Sequence, residues 1–173
     1  MSIDWNALGA VGELLGAVLL IASVIYLAKQ IRSNTDQTTA EAEREVQRDF
    51  MHIQELLATH SETLLVFRKG LASFNKLSSS DKAVFHFTIS LFVNHFEGVL
   101  RMNSKGFLSS DVVETQGNIV MMLIASAGCR EFWQLAGDTF SELSTAYISK
   151  RLSTGGEWGN IIDVFPYFAE IDA

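Results

Sequence analysis

The chain has 173 residues, 48% of them hydrophobic and 19% charged, with a single proline, which excludes a disordered, collagen-like or low-complexity polypeptide. Lys and Arg number 13 against 20 Asp and Glu; the formal net charge of -7 repels a phosphate backbone, so nucleic acid is not expected as a partner. One cysteine, Cys129, excludes an intramolecular disulfide and a thiolate zinc cage.

The apolar content is concentrated at the start. From Trp5 to Ala28 the only charge is Glu13, and the run meets the roughly 20 apolar residues needed to cross about 30 Å of hydrocarbon. A cleavable signal peptide carries its basic residues before the apolar core, whereas here Asp4 precedes the run and Lys29 and Arg32 follow it. An uncleaved transmembrane helix is therefore expected. Lys29, Arg32, Arg44 and Arg48 all follow it, which predicts an N-terminus outside and a cytoplasmic domain after the span. Trp5 and Tyr26 fall near its two ends, where amphipathic rings favour the interface.

Within this helix Gly9, Gly12 and Gly16 recur at three- and four-residue steps, with Ala17 next to them and Ser23 seven residues beyond Gly16. Gly12 and Gly16 have the G-x-x-x-G spacing that lets two helix backbones approach, so Gly9, Gly12, Glu13 and Gly16 are the candidate helix–helix contact. A carboxylate facing lipid is costly, so Glu13 should face a partner helix or water. Two readings follow: a residue near the outer interface that helps set register, or a ring of carboxylates lining an ion or proton path.

After Asn34 the chain reads as helices separated by turn clusters, without strand alternation, and an all-α bundle is expected. Val46, Phe50, Ile53, Leu57, His60, Leu64, Phe67, Leu71 and Phe74 follow steps of four and three, the seam of a packed helix. Ser61 and Glu62 resemble a helix start, which predicts a break near His60. Ser78 to Asp81 mark the next start, and Gly106 closes a central helix that ends near Met102. Further helices are expected over 110–127 and 130–152. The apolar runs 83–96 and 119–129 fall short of 20 residues and read as core, so a second span is not expected.

Beyond Ser153, Thr154, Gly155 and Gly156, the residues Trp158, Ile161, Ile162 and Phe165 sit at helical spacing, and Asp163, Glu170 and Asp172 make this tail acidic. Such a segment suits a protein groove better than anionic lipid; its alternative is to pack on its own domain. The chain thus divides into a transmembrane anchor (1–33), a cytoplasmic helical domain (34–152) and an acidic aromatic tail (153–173).

Signals for chemistry are sparse. Asp49 precedes His52 at a three-residue step, and one such pair does not make a metal site. His86, Ser90, Asn94, Glu97 and Arg101 make a polar stripe on the central helix, readable as a pocket floor or as a solvated edge, with Glu97 and Arg101 spaced for an ion pair. Cys129, after Gly128 at a helix start, has a position that can lower a thiol pKa. Without a phosphate-binding glycine loop, G-x-S-x-G or H-E-x-x-H, neither a cofactor nor catalysis is expected.

The stretch Ser23-Val24-Ile25-Tyr26-Leu27-Ala28-Lys29-Gln30-Ile31-Arg32-Ser33-Asn34-Thr35 resembles a widespread family of uncharacterised small bacterial proteins, through its Tyr-Leu-Ala-x-Gln-Ile-Arg-x-Asn-Thr signature. Arg68 to Leu71, Phe96-Glu97, Gly106 to Leu108, Phe132-Trp133, Phe140 and Tyr147 continue the likeness, which covers about residues 8 to 150. The resemblance implies one N-terminal transmembrane helix with a helical cytoplasmic domain, and it implies no activity. The tail after Ser153 lies outside it. The expected protein is a single-pass inner-membrane scaffold or accessory subunit, in contact with lipid and assembling with itself or with a membrane complex. Alternatives are an oligomeric conduit lined by Glu13, or a cytoplasmic ligand sensor using the Glu97 stripe.

Overall fold

A computed structural model describes residues 5–156 and 158–169. Asp4, Glu170, Asp172 and the side chain of Trp5, all invoked above, lie outside the described residues. Those described form seven α-helices and two short 3-10 turns, with no strand among them. By internal contacts the chain makes two compact units, Met1–Glu41 and Ala42–Ala173.

Helix α1, Trp5–Thr59, supplies the first unit and the opening of the second. Its apolar stretch is long enough to cross a membrane: the best window of Gly12–Thr59 has a mean hydropathy of 2.0 and none of it is buried. Leu14, Leu19, Leu20 and Ile25 are each more than 60% exposed, which in water would leave far more contiguous apolar surface than a soluble monomer shows. The hydroxyl of Ser23 donates to the Leu19 carbonyl at 2.9 Å and that of Thr35 to Ile31 at 3.0 Å. The helix thereby satisfies its own small polar side chains, as a lipid-facing segment must.

From Ala42 onward α1 changes character. Ala42, Val46, Ile53 and Leu57 are buried at steps of four and seven, and the seam continues through Phe67 and Leu71 of α2, Ser61–Ala72. The break falls at His60, which is exposed and non-helical in backbone. Helix α3, Ser79–Ser104, starts where Ser78 accepts a hydrogen bond from the Asp81 amide at 3.1 Å. It ends where Gly106 takes φ +78°, a conformation that other residues pay for in sterics. There the Phe107 amide reaches back to the Met102 carbonyl at 3.0 Å, and the Asn103 side chain donates to the Leu108 carbonyl at 2.8 Å.

By length and hydropathy α3 also meets the requirement for a span, a result that the short run 83–96 did not suggest, and the sharply bent pair Ser110–Ile124 and Ala127–Thr139 would be a third. Yet α3 is the centre of the bundle. Phe85, Ile89, Val93, Phe96 and Val99 are each at most 1% exposed, and α3 packs against α2 and against the helices Ser110–Ile124 and Glu142–Thr154. Burial of each such side chain contributes about 1.5–3 kcal/mol. The rings of Phe74, Phe85 and Phe132 lie 5.6–6.0 Å apart, in mutual contact.

The last two long helices expected from the sequence are divided differently. Helix α4 is Ser110–Ile124, α5 is Ala127–Ala136, and α6 is Glu142–Thr154, with a 3-10 turn at Gly137–Thr139. The single helix expected over 130–152 is therefore two. Ser126 and Ser141 cap the starts of α5 and α6 by accepting from the Cys129 and Ser144 amides. Phe140 is extended between them, its ring stacked on Trp133 at 5.3 Å. Gly128 sets the α2–α5 approach, since a Cβ there would collide with the backbone of Gly70 and Phe74, and Gly70 sets the α2–α3 approach, since a Cβ there would strike the Phe85 ring.

Candidate functional site

The glycine face of α1 has open space around it. A Cβ added at Gly9, Gly12 or Gly16 meets nothing within 4 Å, and Glu13 beside them is exposed.

The polar stripe divides into two parts. Glu97 and Arg101 form the ion pair, the Arg101 Nε and NH2 groups donating to Glu97 Oε1 at 2.8 and 2.6 Å. Ser144 Oγ approaches the other carboxylate oxygen at 3.5 Å, and hydrogen bonding from Ser141, then Arg101, holds the Glu97 carboxyl below its usual range. Glu97 thus joins the central helix to the capped start of α6. His86 sits apart, its ring 5.2 Å from that of Phe132, and the Ser90 hydroxyl donates to the His86 carbonyl within the same helix. Asn94 is exposed. The five residues share one edge of α3 and do not converge on a point.

Cys129 is fully buried at the start of α5, and burial pushes its thiol up to about 12, the opposite of the shift a helix start can give. Among the described residues no group of three or more His, Cys, Asp or Glu side chains is placed to hold a metal ion.

The tail folds onto its own bundle. Trp158 lies over the Arg151 guanidinium at 5.3 Å, and Arg151 is also over Tyr147 at 5.4 Å and donates to Asn118. Asn160 caps the single turn of α7, Ile161–Val164, by accepting from the Ile162 amide. A 3-10 turn over Pro166–Phe168 follows, and the Phe168 ring meets Phe67 edge-on at 6.1 Å. Trp158, Ile161 and Ile162 pack against the core, while Phe165 is 38% exposed.

Several features escaped the sequence reading. The Glu131 carboxylate accepts from the Asn75 amide at 2.8 Å and from the Ser73 hydroxyl at 3.2 Å, holding the end of α2 to α5. A cleft of about 550 Å³ lies beside Arg151 and Trp158, and a second of about 350 Å³ is lined by Glu43, Gln47, Asp111 and Thr115. An apolar cavity of about 420 Å³ lies between the bundle and the tail. No sequence spacing marks these, because each is assembled from residues of distant segments. Compared with known proteins, the chain matches no family model, no curated protein and no solved structure.

Proposed function

We propose that the chain is a single-pass inner-membrane scaffold or accessory subunit, non-catalytic, with its N-terminus outside and its helical bundle in the cytoplasm, assembling with itself or with a membrane complex. The observation that carries the reading is the first unit: an apolar helix exposed from Leu14 to Ile31, with open space beside Gly9, Gly12 and Gly16. Lipid covers the first feature and a neighbouring helix the second. The basic residues after the span, Lys29, Arg32, Arg44 and Arg48, support the orientation, and the Tyr26 to Thr35 signature supports the same architecture. One span is preferred because α3, though apolar, spends its face on the bundle core. A scaffold role is preferred because Glu97 is engaged as a link between helices and the Cys129 thiol is buried and protonated at neutral pH.

The test is made on membranes. The full chain should resist extraction by alkaline carbonate, and a C-terminal tag should be protected from protease added outside spheroplasts. In mild detergent the native particle should exceed the monomer mass, and the double variant Gly12→Leu, Gly16→Leu should be smaller. Carbonate release of the intact chain would overturn the membrane placement, and a monomer mass for the native chain with no co-purifying partner would overturn the scaffold.

A further inference from the structure

We propose that the cavity between the tail and the bundle is a binding site for an uncharged, single-chain lipid such as a monoacylglycerol. It is bounded by α1, α2, α3 and α4 on one side and by α7 and the 3-10 turn that follows on the other. Ten of its twelve lining residues are apolar, among them Phe50, Phe92, Ile119, Met122 and Phe168; the other two are Gln54 and Tyr167.

Size separates a small ligand from a peptide. An α-helix about 10 Å across fills roughly 420 Å³ per turn, so the cavity would admit about one turn, whereas a groove-bound helix needs several anchors spread over two turns or more. The cavity of about 420 Å³ instead lies within the range of roughly 300–1,000 Å³ usual for small-molecule sites. The tail already occupies the place a partner helix would take.

Charge separates one amphiphile from another. No Lys, Arg, His, Asp or Glu lines the cavity, so a carboxylate or phosphate head drawn to its mouth would give up part of its water without gaining a counter-ion. Gln54 and Tyr167 are both exposed, which places the two neutral hydrogen-bonding groups at the mouth. Glycerol or alcohol hydroxyls fit them, and a hydrocarbon chain fits the Phe, Ile and Met side chains behind. All twelve lining residues belong to the second unit, so the site does not depend on whether the first unit crosses a membrane.

The experiment uses the full chain in phosphatidylcholine nanodiscs, so that detergent chains do not compete. A monoacylglycerol carrying a mid-chain diazirine is photolysed and the labelled peptides are mapped by mass spectrometry. Label is expected on peptides containing Met122 and Phe168 in addition to those of the apolar part of α1. Excess ordinary monoacylglycerol should reduce the bundle label about tenfold and leave the α1 label unchanged, since bulk lipid contact does not saturate, while the corresponding fatty acid should compete about tenfold less well. Met122→Trp, which fills the cavity, should remove the bundle label and keep the helical content. Should that variant fail to fold, the competition on the native chain decides alone. Bundle label that is absent, or that excess monoacylglycerol leaves unchanged, overturns the proposal, and equal or better competition by the fatty acid overturns its neutral-ligand assignment.

Discussion

The two units use the same residue for opposite ends. In α1 a methyl group at Gly12 or Gly16 would meet nothing within 4 Å, while in the bundle one at Gly128 would strike the backbone of Gly70 and Phe74, and one at Gly70 would strike the Phe85 ring of α3. Large apolar residues differ too: Leu20 is 68% exposed and Phe85 is 0% exposed, although Phe87 and Leu135 at the bundle surface are as open as Leu20. No residue of the best apolar window of α1 is buried within this chain, whereas the bundle has a buried core of its own. A glycine or a leucine counted in the sequence is therefore not evidence of a core until its neighbours are known.

The sharpest break in that comparison is Gly128→Leu. Its side chain would have to displace the Gly70 carbonyl and the Phe74 amide, which are backbone and cannot swing aside. Overpacking commonly costs about 1–3 kcal/mol, and backbone collisions cost more, so loss of the cooperative thermal transition is expected by circular dichroism. Gly12→Leu should leave the bundle transition where it was. Next in size is Phe85→Ala, which removes a ring in contact with Phe67, Phe74 and Phe132 and should cost about 3–5 kcal/mol in denaturant unfolding. Leu20→Ala, at an exposed position outside the bundle, should cost the bundle nothing measurable.

The helical class, the long apolar start and the seam from Val46 to Phe74 were legible because each depends on residues a few positions apart. The break at His60 and the cap at Ser78 were legible for the same reason. The turn at Gly137–Thr139 was missed although Gly137 and Ser141 are ordinary helix-end residues; the apolar periodicity on both sides concealed it. Glu97 and Arg101 were found by their spacing, but the bond from Glu97 to the start of α6 joins residues 47 apart in sequence. The lipid-sized cavity, built from five helices and a 3-10 turn, has no local signature at all.

Acid separates the contributions inside the bundle. His95 packs its ring 5.7 Å from that of Phe50, and burial lowers its pKa, with Gln116 and Asp49 acting in the other direction. Because the folded chain then binds its proton less readily than the unfolded one, its contribution is complete above the unfolded value of about 6.5 and is lost as pH falls from there through the folded pKa. Equilibrium unfolding in urea should show stability declining below about pH 6.5. His95→Gln should remove that slope while leaving any change at lower pH in place.

Glu97 should produce the smallest effect and the most specific one. Hydrogen bonds from Ser141 and Arg101 favour its charged form in the folded chain, so its pKa there lies below the unfolded value of about 4.3. Its contribution is complete above that unfolded value and is lost as pH falls through the folded pKa, a window that opens at a lower pH than that of His95. The Glu97 side chain is 17% exposed and Arg101 is 61% exposed, so solvent screens the pair and its worth is about 1 kcal/mol or less. Glu97→Gln keeps the shape and can still accept from Ser144, but it cannot titrate; urea midpoints measured from pH 6 to pH 3 should decline slightly less at the acid end in this variant and retain the His95 limb. If the link to α6 matters beyond charge, native-state hydrogen exchange at the first turn of α6 should also quicken in Glu97→Ala and not in Glu97→Gln. Equal exchange in both variants and the native chain would reduce Glu97 to a solvated pair on the edge of α3, leaving the caps at Ser126 and Ser141 to set the path of the chain there by themselves.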